Sequence, residues 1–295
     1  MIDPRRLRVL RALADHGTVT AAGEALHLTP SAVSQQLAAL ESETGQDLLR
    51  RRGRRVSLTP AGELLVKHAN AVAAELERAQ ASLASFASGA MGRVELASFA
   101  SAITQVVAPT IRALRLLTPD ITVVVRDAEG HASVRLLLDG EIDLAITEAH
   151  RLAPRTDDQR LYMFPLYTEP FDVVLPKNHR LSSWDDVPLD ELAGEDWIAP
   201  LPGNPCRDAV EAIGAGARIT HTSDDFRAIL SLVGAGAGVA LVPRNALTEI
   251  PGAVAVPVRG TAPQRRVFAA VRRGSEGHPL IKTVLGALLT QVASG

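Results

Sequence analysis

"TPSAVSQQLAALE" (Thr29 to Glu41) contains no basic residue, yet arginines crowd both of its sides: "RRLRVLR" (Arg5 to Arg11) ahead and "RRRGRR" (Arg50 to Arg55) behind. Thr29 is a good N-cap and Pro30 suits the first helical position, so the stretch reads as a helix. At about 100° per residue, Val33, Leu37 and Leu40 fall on one stripe. Ser31, Gln35 and Ala38 lie opposite, with Ser34 beside them. The exposed face is therefore slim and uncharged.

Two readings fit such a face. It suits a DNA major groove roughly 12 Å wide, where Gln pairs with adenine and Ser with several base edges. It equally suits an ordinary amphipathic surface helix whose polar residues are merely solvated. The flanking sequence separates them. "DPRRLRVLRALADHG" reads as a helix with Asp3 as cap, Pro4 at the first position, Gly17 past the end, and Leu7, Leu10, Leu13 and Ala14 as the buried stripe. "TAAGEALHL" (Thr20 to Leu28) reads as a short second helix capped by Thr20, which makes a helix-turn-helix with the third. "DLLRRRGRRVSLTPAG" (Asp47 to Gly62) then reads as a β-hairpin with Gly53 near its tip, the wing of a winged helix-turn-helix. Five guanidiniums on one tight turn repel each other unless a polyanion neutralises them, as phosphates do. A solvated basic loop is the bland alternative. Residues 1–59 hold nine Arg and no Lys against six acidic residues, inside a chain of net charge −2. The positive charge is thus local.

"TPAGELLVKHANAVAAELERAQASLASFASG" (Thr59 to Gly89) predicts one long helix from Pro60 to about Ser88, about 43 Å long, capped by Thr59 and stopped by Gly89. Leu65, Ala69, Val72, Leu76, Ala79, Leu83 and Phe86 alternate spacings of four and three. That seam predicts pairing with a second copy of the chain, and burial against its own domain would use the same stripe.

On these residues the chain resembles the LysR-type transcriptional regulators, and the resemblance covers essentially its whole length. "LRVLRALADHGTVTAAGEALHLTPSAVSQQLAALESETGQDLLRRRGRRVSLTPAGELL" follows the family's N-terminal signature. The resemblance implies an α/β multidomain protein: a winged helix-turn-helix over 1–59, a dimerising linker helix over 60–89, and an effector-binding domain over 92–295. That last domain would have the two-lobed type 2 periplasmic-binding-protein-like fold, lobe I at about 92–165 and 265–295, lobe II at about 166–264. The family's base-reading positions fall on Thr29, Pro30, Ser31, Ser34 and Gln35, and its wing contacts on Arg52, Arg54 and Arg55. Pro30 departs from the family's usual Gln and lacks a hydrogen-bond donor, so Gln35 and Gln36 are the substitute base readers. The implied partners are double-stranded DNA, a small-molecule effector, the chain itself as dimer or tetramer, and RNA polymerase should the protein activate.

Beyond residue 92, strand and helix patterns alternate: "RVELASF", "AITQVVAPTIRALRLL" with an irregularity at Pro109, "ITVVVRD", "HASVRLLLDG" and "IDLAIT". The pattern restarts after "LYMFPLYTEPFDVVLP", with helices at "CRDAVEAIG" and "DDFRAILSLVGAG", strands at "ARITHT" and "GVALVP", and a closing helix "HPLIKTVLGALLTQVA". This predicts parallel sheets in two lobes with a cleft between them. Ligands of such sheets bind beyond the carboxyl ends of strands, which singles out Ser98, Phe99, Ser101, Thr147, Glu148, Pro202, Gly203, Asn204, Asp224 and Phe226. Ser101 is expected either to favour a ligand carboxylate or simply to cap its helix. Glu148 is expected to meet a ligand amine, or else an arginine.

Other chemistries find little support. "GAGAG" (Gly234 to Gly238) ends a helix before a strand, the reverse of a dinucleotide loop. The eight His are scattered without metal-ligand spacing, and no Gly-x-Ser-x-Gly elbow occurs. Cys206, the one cysteine, is expected to be inert unless its pKa is lowered. The arginine-broken start predicts no secretory leader, and "SLVGAGAGVALVP" (Ser231 to Pro243) is too short for a membrane span. A cytoplasmic protein without cofactor, metal or catalytic residues is the expectation. An enzyme or small-molecule-binding module with an appended helical domain is the alternative.

Overall fold

The computed structural model describes residues 2–52, 55–86, 91–149, 158–213 and 217–293. Helix α1 (Pro4–His16) starts where the Asp3 carboxylate accepts from the Arg5 N–H at 2.8 Å, and stops at Gly17 in the left-handed conformation. Helix α2 (Val19–Leu26) corrects the sequence reading. Its cap is Thr18, whose Oγ1 accepts from the Ala21 N–H at 3.1 Å, and Thr20 lies inside the helix. Because Gly17 has already reversed the chain, Thr18 is the first residue free to cap. His27 then turns left-handed at φ 55° and ends α2 two residues earlier than expected. The turn is tight: a Cβ on Gly23 would lie 2.7 Å from the Leu28 carbonyl oxygen.

Helix α3 (Pro30–Thr44) is capped by Thr29 as expected. Its Val33, Leu37 and Leu40 join Leu7, Leu10 and Leu13 in one core. Strands β1 (Leu49–Arg52) and β2 (Arg55–Leu58) pair antiparallel, from Leu49 opposite Leu58 to Arg52 opposite Arg55. Gly53 and Arg54 lie outside the described residues. Helix α4 (Pro60–Phe86) follows, with Thr59 Oγ1 accepting from the Gly62 N–H at 3.1 Å. Gly89, the expected stop, is likewise outside the description.

Strand β3 (Gly92–Ser98) runs parallel to β4 (Ile121–Asp127) and β5 (Leu144–Glu148), joined through α6 (Ala108–Leu117) and α7 (Gly130–Asp139). Ahead of α6, a helical turn α5 (Ala100–Ala102) widens into a π turn over Ile103–Val107. Pro109 cannot donate to a carbonyl one turn back, and the widened turn absorbs that mismatch.

Within this sheet parallel pairing stops there, against expectation. Strand β6 (Leu161–Pro176) is one sixteen-residue strand. After β7 (Asp196–Ala199) and β8 (Arg218–Thr222), which pair parallel, come β9 (Ala240–Pro243), β10 (Ala253–Pro257) and β11 (Gln264–Arg272). The first part of β6 pairs antiparallel with β11, and its second part pairs antiparallel with β9 and β10. Two cores result. One gathers Leu96, Leu144, Ile146, Val267 and Val284, the last from α10 (Pro279–Ala293). The other gathers Phe171, Val173, Trp197, Leu241 and Val210, the last from α8 (Pro205–Glu211). Helix α9 (Phe226–Gly234) packs beside the second core through Ile229, Leu230 and Val233. The chain thus crosses between two lobes on β6 and β11.

The N-terminal body rests on the first lobe. Asp15 pairs with Arg160, His16 Nε2 lies 2.9 Å from Asp139 Oδ1, and Glu77 on α4 pairs with Arg272 at 2.8 Å. No described helix is long and apolar enough to cross a membrane.

Candidate functional site

Two places merit description: the α3 face with its hairpin, and the cleft between the lobes. On α3, Ser31, Gln35 and Ala38 are exposed together with Thr29 and Pro30, while Ser34 is half-buried. Thr29 Oγ1 accepts from the Ala32 N–H at 3.2 Å and lies 3.0 Å from Ser31 Oγ. Gln36 is turned elsewhere: its Oε1 accepts from Arg6 Nε at 3.3 Å, and Arg6 also pairs with Glu43. That arrangement clamps α1 to α3. At the other end Glu41 Oε1 accepts from the N–H groups of Leu48 and Leu49, at 2.9 and 3.0 Å. The root of the hairpin is thereby fixed to α3. Arg50 is exposed on it; the side chains of Arg52 and Arg55 lie outside the description, as does Arg54.

The expected seam on α4 divides. Leu65 and Ala69 pack into the N-terminal core. Val72, Leu76, Leu83 and Phe86 are exposed at 37%, 57%, 70% and 89%. Ala74 and Ala81 on the opposite face are buried, and the Ala74 carbonyl lies so close to Gly274 that a Cβ there would be 2.2 Å from it. The helix docks on lobe I by one face and leaves an apolar stripe uncovered on another.

Between the lobes lies a cavity of about 480 Å³. Phe99, Ser101, Asp224 and Phe226 line it, as sequence suggested; Thr104, Gln105, Asp127, Glu129, Asn245 and Arg265 line it too. Ser98 and Thr147 are instead fully buried, their hydroxyls bonded to the Phe99 and Gly130 carbonyls. Pro202 and Gly203 are exposed and do not line the cavity, although Leu201 and Asn204 beside them bond to Asp224, which does. Asn204 is a helix cap, with Oδ1 accepting from the Cys206 N–H at 2.9 Å and Nδ2 donating to Asp224 at 3.0 Å. Ser101 does not cap its helix. Phe99 occupies the cap position, and Ser101 Oγ accepts from Arg265 Nη2 at 2.9 Å.

Arg265 organises the wall. Its Nε and Nη2 donate to Glu169 Oε1 at 2.9 and 2.6 Å, its Nη1 lies 3.8 Å from Cys206 Sγ, and its Nε is 3.6 Å from Glu148 Oε2. Its guanidinium stacks 4.7 Å from the centre of the Phe99 ring. Arg265, Glu148 and Glu169 are all buried. Glu148 therefore meets an arginine, and its Oε1 has no hydrogen-bond partner. Burial pushes its carboxyl up to about 7 despite the opposing pull of Arg265. Burial likewise pushes Glu129 up to about 7, reinforced by the charges of Glu148 and Asp224. Cys206 is buried, and burial followed by Glu148 drives its thiol well above the usual range. No group of three potential metal ligands occurs among the described residues.

Sequence reading missed Arg265 and Glu129. Arg265 shares strand parity with buried Val267 and Ala269 on β11, so an alternation count over "QRRVFAA" would have placed it inward. Nothing local marks Glu129.

A helix-turn-helix body with a basic hairpin, joined by a long helix to a two-lobed α/β domain around a cleft, defines a ligand-responsive DNA-binding regulator. Comparison agrees throughout. Residues 4–63 match the bacterial regulatory helix-turn-helix proteins of the lysR family, and residues 87–293 match the LysR substrate binding domain. The chain is 27% identical over 261 residues to the nitrogen assimilation regulatory protein nac of Escherichia coli, covering 85% of this chain and 81% of that one. It is 28% identical over 280 residues to the transcriptional dual regulator OxyR of the same organism, covering 92% and 90%. A full-length OxyR variant from Pseudomonas aeruginosa superposes with a TM-score of 0.64 at 22% identity, over 98% of this chain and 95% of that one. The chain belongs to the LysR family: it is a DNA-binding transcriptional regulator modulated by a small-molecule effector.

Proposed function

We propose that the reading of DNA rests on the α3 face. Ser31, Ser34 and Gln35 meet base edges, Thr29 and Pro30 lie against the groove at the start of the helix, and Arg52, Arg54 and Arg55 hold phosphates from the hairpin. Gln36 braces α1 instead of reading a base. On this reading the chain divides into a DNA-binding domain over 1–59, a linker helix over 60–89 that dimerises through its uncovered stripe, and an effector-binding domain over 92–295. The cleft holds the effector. The protein works in the cytoplasm, without catalysis, metal or cofactor, and meets RNA polymerase where it activates. Cys206 takes no part as a thiolate, because burial and Glu148 both oppose its ionisation.

The carrying observation is an uncharged face on α3, fixed to the root of the arginine-bearing hairpin by Glu41 and to α1 by Arg6 and Glu43. The test is to recover genomic fragments with the purified protein and titrate them against salt. Affinity should fall steeply with salt concentration for the recovered fragments. Salt-insensitive binding, or none, refutes the reading.

A further inference from the structure

The cleft's charge bears on what enters it, and this inference rests on the reading of the cleft as the effector site. Four carboxylates line the cavity, Asp127, Glu129, Asp224 and Asp225, against two guanidiniums, Arg227 and Arg265. Arg265 is not available to a ligand anion. Each of its three nitrogens already has a partner, and Glu148 and Glu169 more than neutralise it. Asp224 accepts from the Leu201 N–H and from Asn204, and Asp225 caps α9. Asp127 and Glu129 have no hydrogen-bond or ion-pair partner among the described residues. Behind Glu129 sits Glu148, 1% exposed, with one carboxyl oxygen unpartnered. A buried, partly unsatisfied carboxylate behind an unpaired one makes the wall a place where positive charge is stabilised.

We propose that the effector is a cation, an amine- or guanidine-bearing small molecule whose charged group lies between Asp127 and Glu129 on lobe I and faces Asp224 of lobe II. Phe99 and Phe226 supply the apolar walls for its carbon skeleton. A volume of about 480 Å³ suits a ligand of amino-acid to nucleoside size. The Ser101 hydroxyl, which accepts from Arg265, retains its proton to donate to a ligand oxygen. A ligand carboxylate at Ser101 would share the cavity with four acidic side chains. Bridging Asp127 and Glu129 to Asp224 with one cation also ties the lobes together, which is how occupancy would favour a closed arrangement.

Proton uptake offers a second signature. Burial pushes the Glu129 carboxyl up to about 7, with Glu148, Asp224 and Asp127 reinforcing the rise and Arg265 opposing it. A bound cation pulls that proton off, so binding should release protons and tighten by about tenfold between pH 6 and 8.

The experiment is calorimetry on the full-length protein with three probes of one length: 1,5-diaminopentane, 1,5-pentanediol and glutarate. The expected result is that the diamine binds in preference to the others, weakens in high salt, tightens from pH 6 to 8 with proton release, and loses about tenfold in affinity with Glu129→Gln. Preference for glutarate or the diol, or no diamine binding at millimolar concentration, overturns the charge assignment. A cavity-filling Ala100→Trp variant separates this from the underlying reading. Should the preferred probe, whichever it is, bind Ala100→Trp as well as the parent, the site lies outside the cleft and the cleft reading falls. Should Ala100→Trp block an anionic or neutral probe, the cleft stands and only its proposed charge preference fails.

Discussion

Replacing Glu148 by Gln tests whether a carboxyl is buried beside Arg265 at a cost. In the folded protein its pKa stands at about 7 instead of 4.5. A raised folded-state value means that the protonated form is the better buried one. Its contribution to stability is therefore fully present below 4.5 and is lost as pH rises through about 7. At about 1.4 kcal/mol per decade, roughly 2–3 kcal/mol disappears between pH 5 and pH 8. Gln is neutral at both pH values, so the variant escapes that loss. Any fixed cost of placing an amide beside Arg265 cancels when the two pH values are compared. At 2–4 °C per kcal/mol for a domain of this size, the melting temperature of Glu148→Gln relative to the parent should rise by about 5–10 °C from pH 5 to pH 8. Glu129 strengthens the effect, since loss of the Glu148 charge lowers its own value. Differential scanning calorimetry at the two pH values is the assay. Parallel pH curves for parent and variant would refute the placement of an ionisable, desolvated carboxyl in that wall.

Gln35→Ala should cost about 1–3 kcal/mol at particular base pairs, read by binding to a library of single-substituted operators, whereas Gln36→Ala should lower stability through its lost bond to Arg6 and leave base preference unchanged. Arg54→Ala with Arg55→Ala should weaken binding to every duplex and reduce the salt slope by about two; an unchanged slope removes the hairpin from the contact. Val72→Glu with Leu76→Glu, both on exposed positions of α4, should give monomers in sedimentation velocity, and a persisting dimer places the interface elsewhere.

The N-terminal third was legible because its signals are local. Asp3, Thr29 and Thr59 cap the helices that follow them, and Val33, Leu37 and Leu40 reveal their burial by spacing alone. The second helix was expected to start at Thr20, but Thr18 caps it, because α1 stops at Gly17 directly ahead of it. The second half resisted for a different reason. Strand β6 contains Pro165 and Pro170, which argue against a continuous strand. Val267 of β11 faces Tyr167 while Phe268 faces Pro165, so β6 carries Leu166 as an extra residue beside Pro165, and the pairing survives what the sequence seems to forbid. The antiparallel crossing strands, and with them Arg265, are products of pairing between segments about one hundred residues apart. Ser98, Thr147 and Glu148 were placed at the right strand ends. Every residue of β5 and the last three of β3 are buried, so both faces of the sheet are covered there and alternation alone could not tell which residues reach the cleft.

Strand β11 joins the two places where function is exerted. Arg265 stands at its cleft end and Arg272 at the other, about 23 Å away at 3.3 Å per residue, with Ala269, Ala270 and Val271 fully buried between them. Arg272 holds Glu77 of α4 and also donates to the Leu137 carbonyl at 3.2 Å. The N-terminal body docks on lobe I through mostly buried ion pairs, Asp15 with Arg160 and Glu77 with Arg272, 18–24% exposed, together with the His16–Asp139 contact and the close approach of Ala74 to Gly274. These contacts are ion pairs and small residues, whereas the cores on either side are built of large buried apolar side chains. Docking is therefore a junction poor in apolar contact beside two apolar cores. An effector acts on an equilibrium only by its different affinity for two arrangements, and such couplings amount to about 1–3 kcal/mol. That is the scale on which a junction of ion pairs and one small-residue helix face could shift, and it is too little to rearrange a core. Since the described contacts of α4 with the C-terminal domain are with lobe I, a movement of lobe II reaches the DNA-binding body through the crossing strand β6 and through contacts between the lobes such as Gln105 with Asn245 and Cys206 with Arg265.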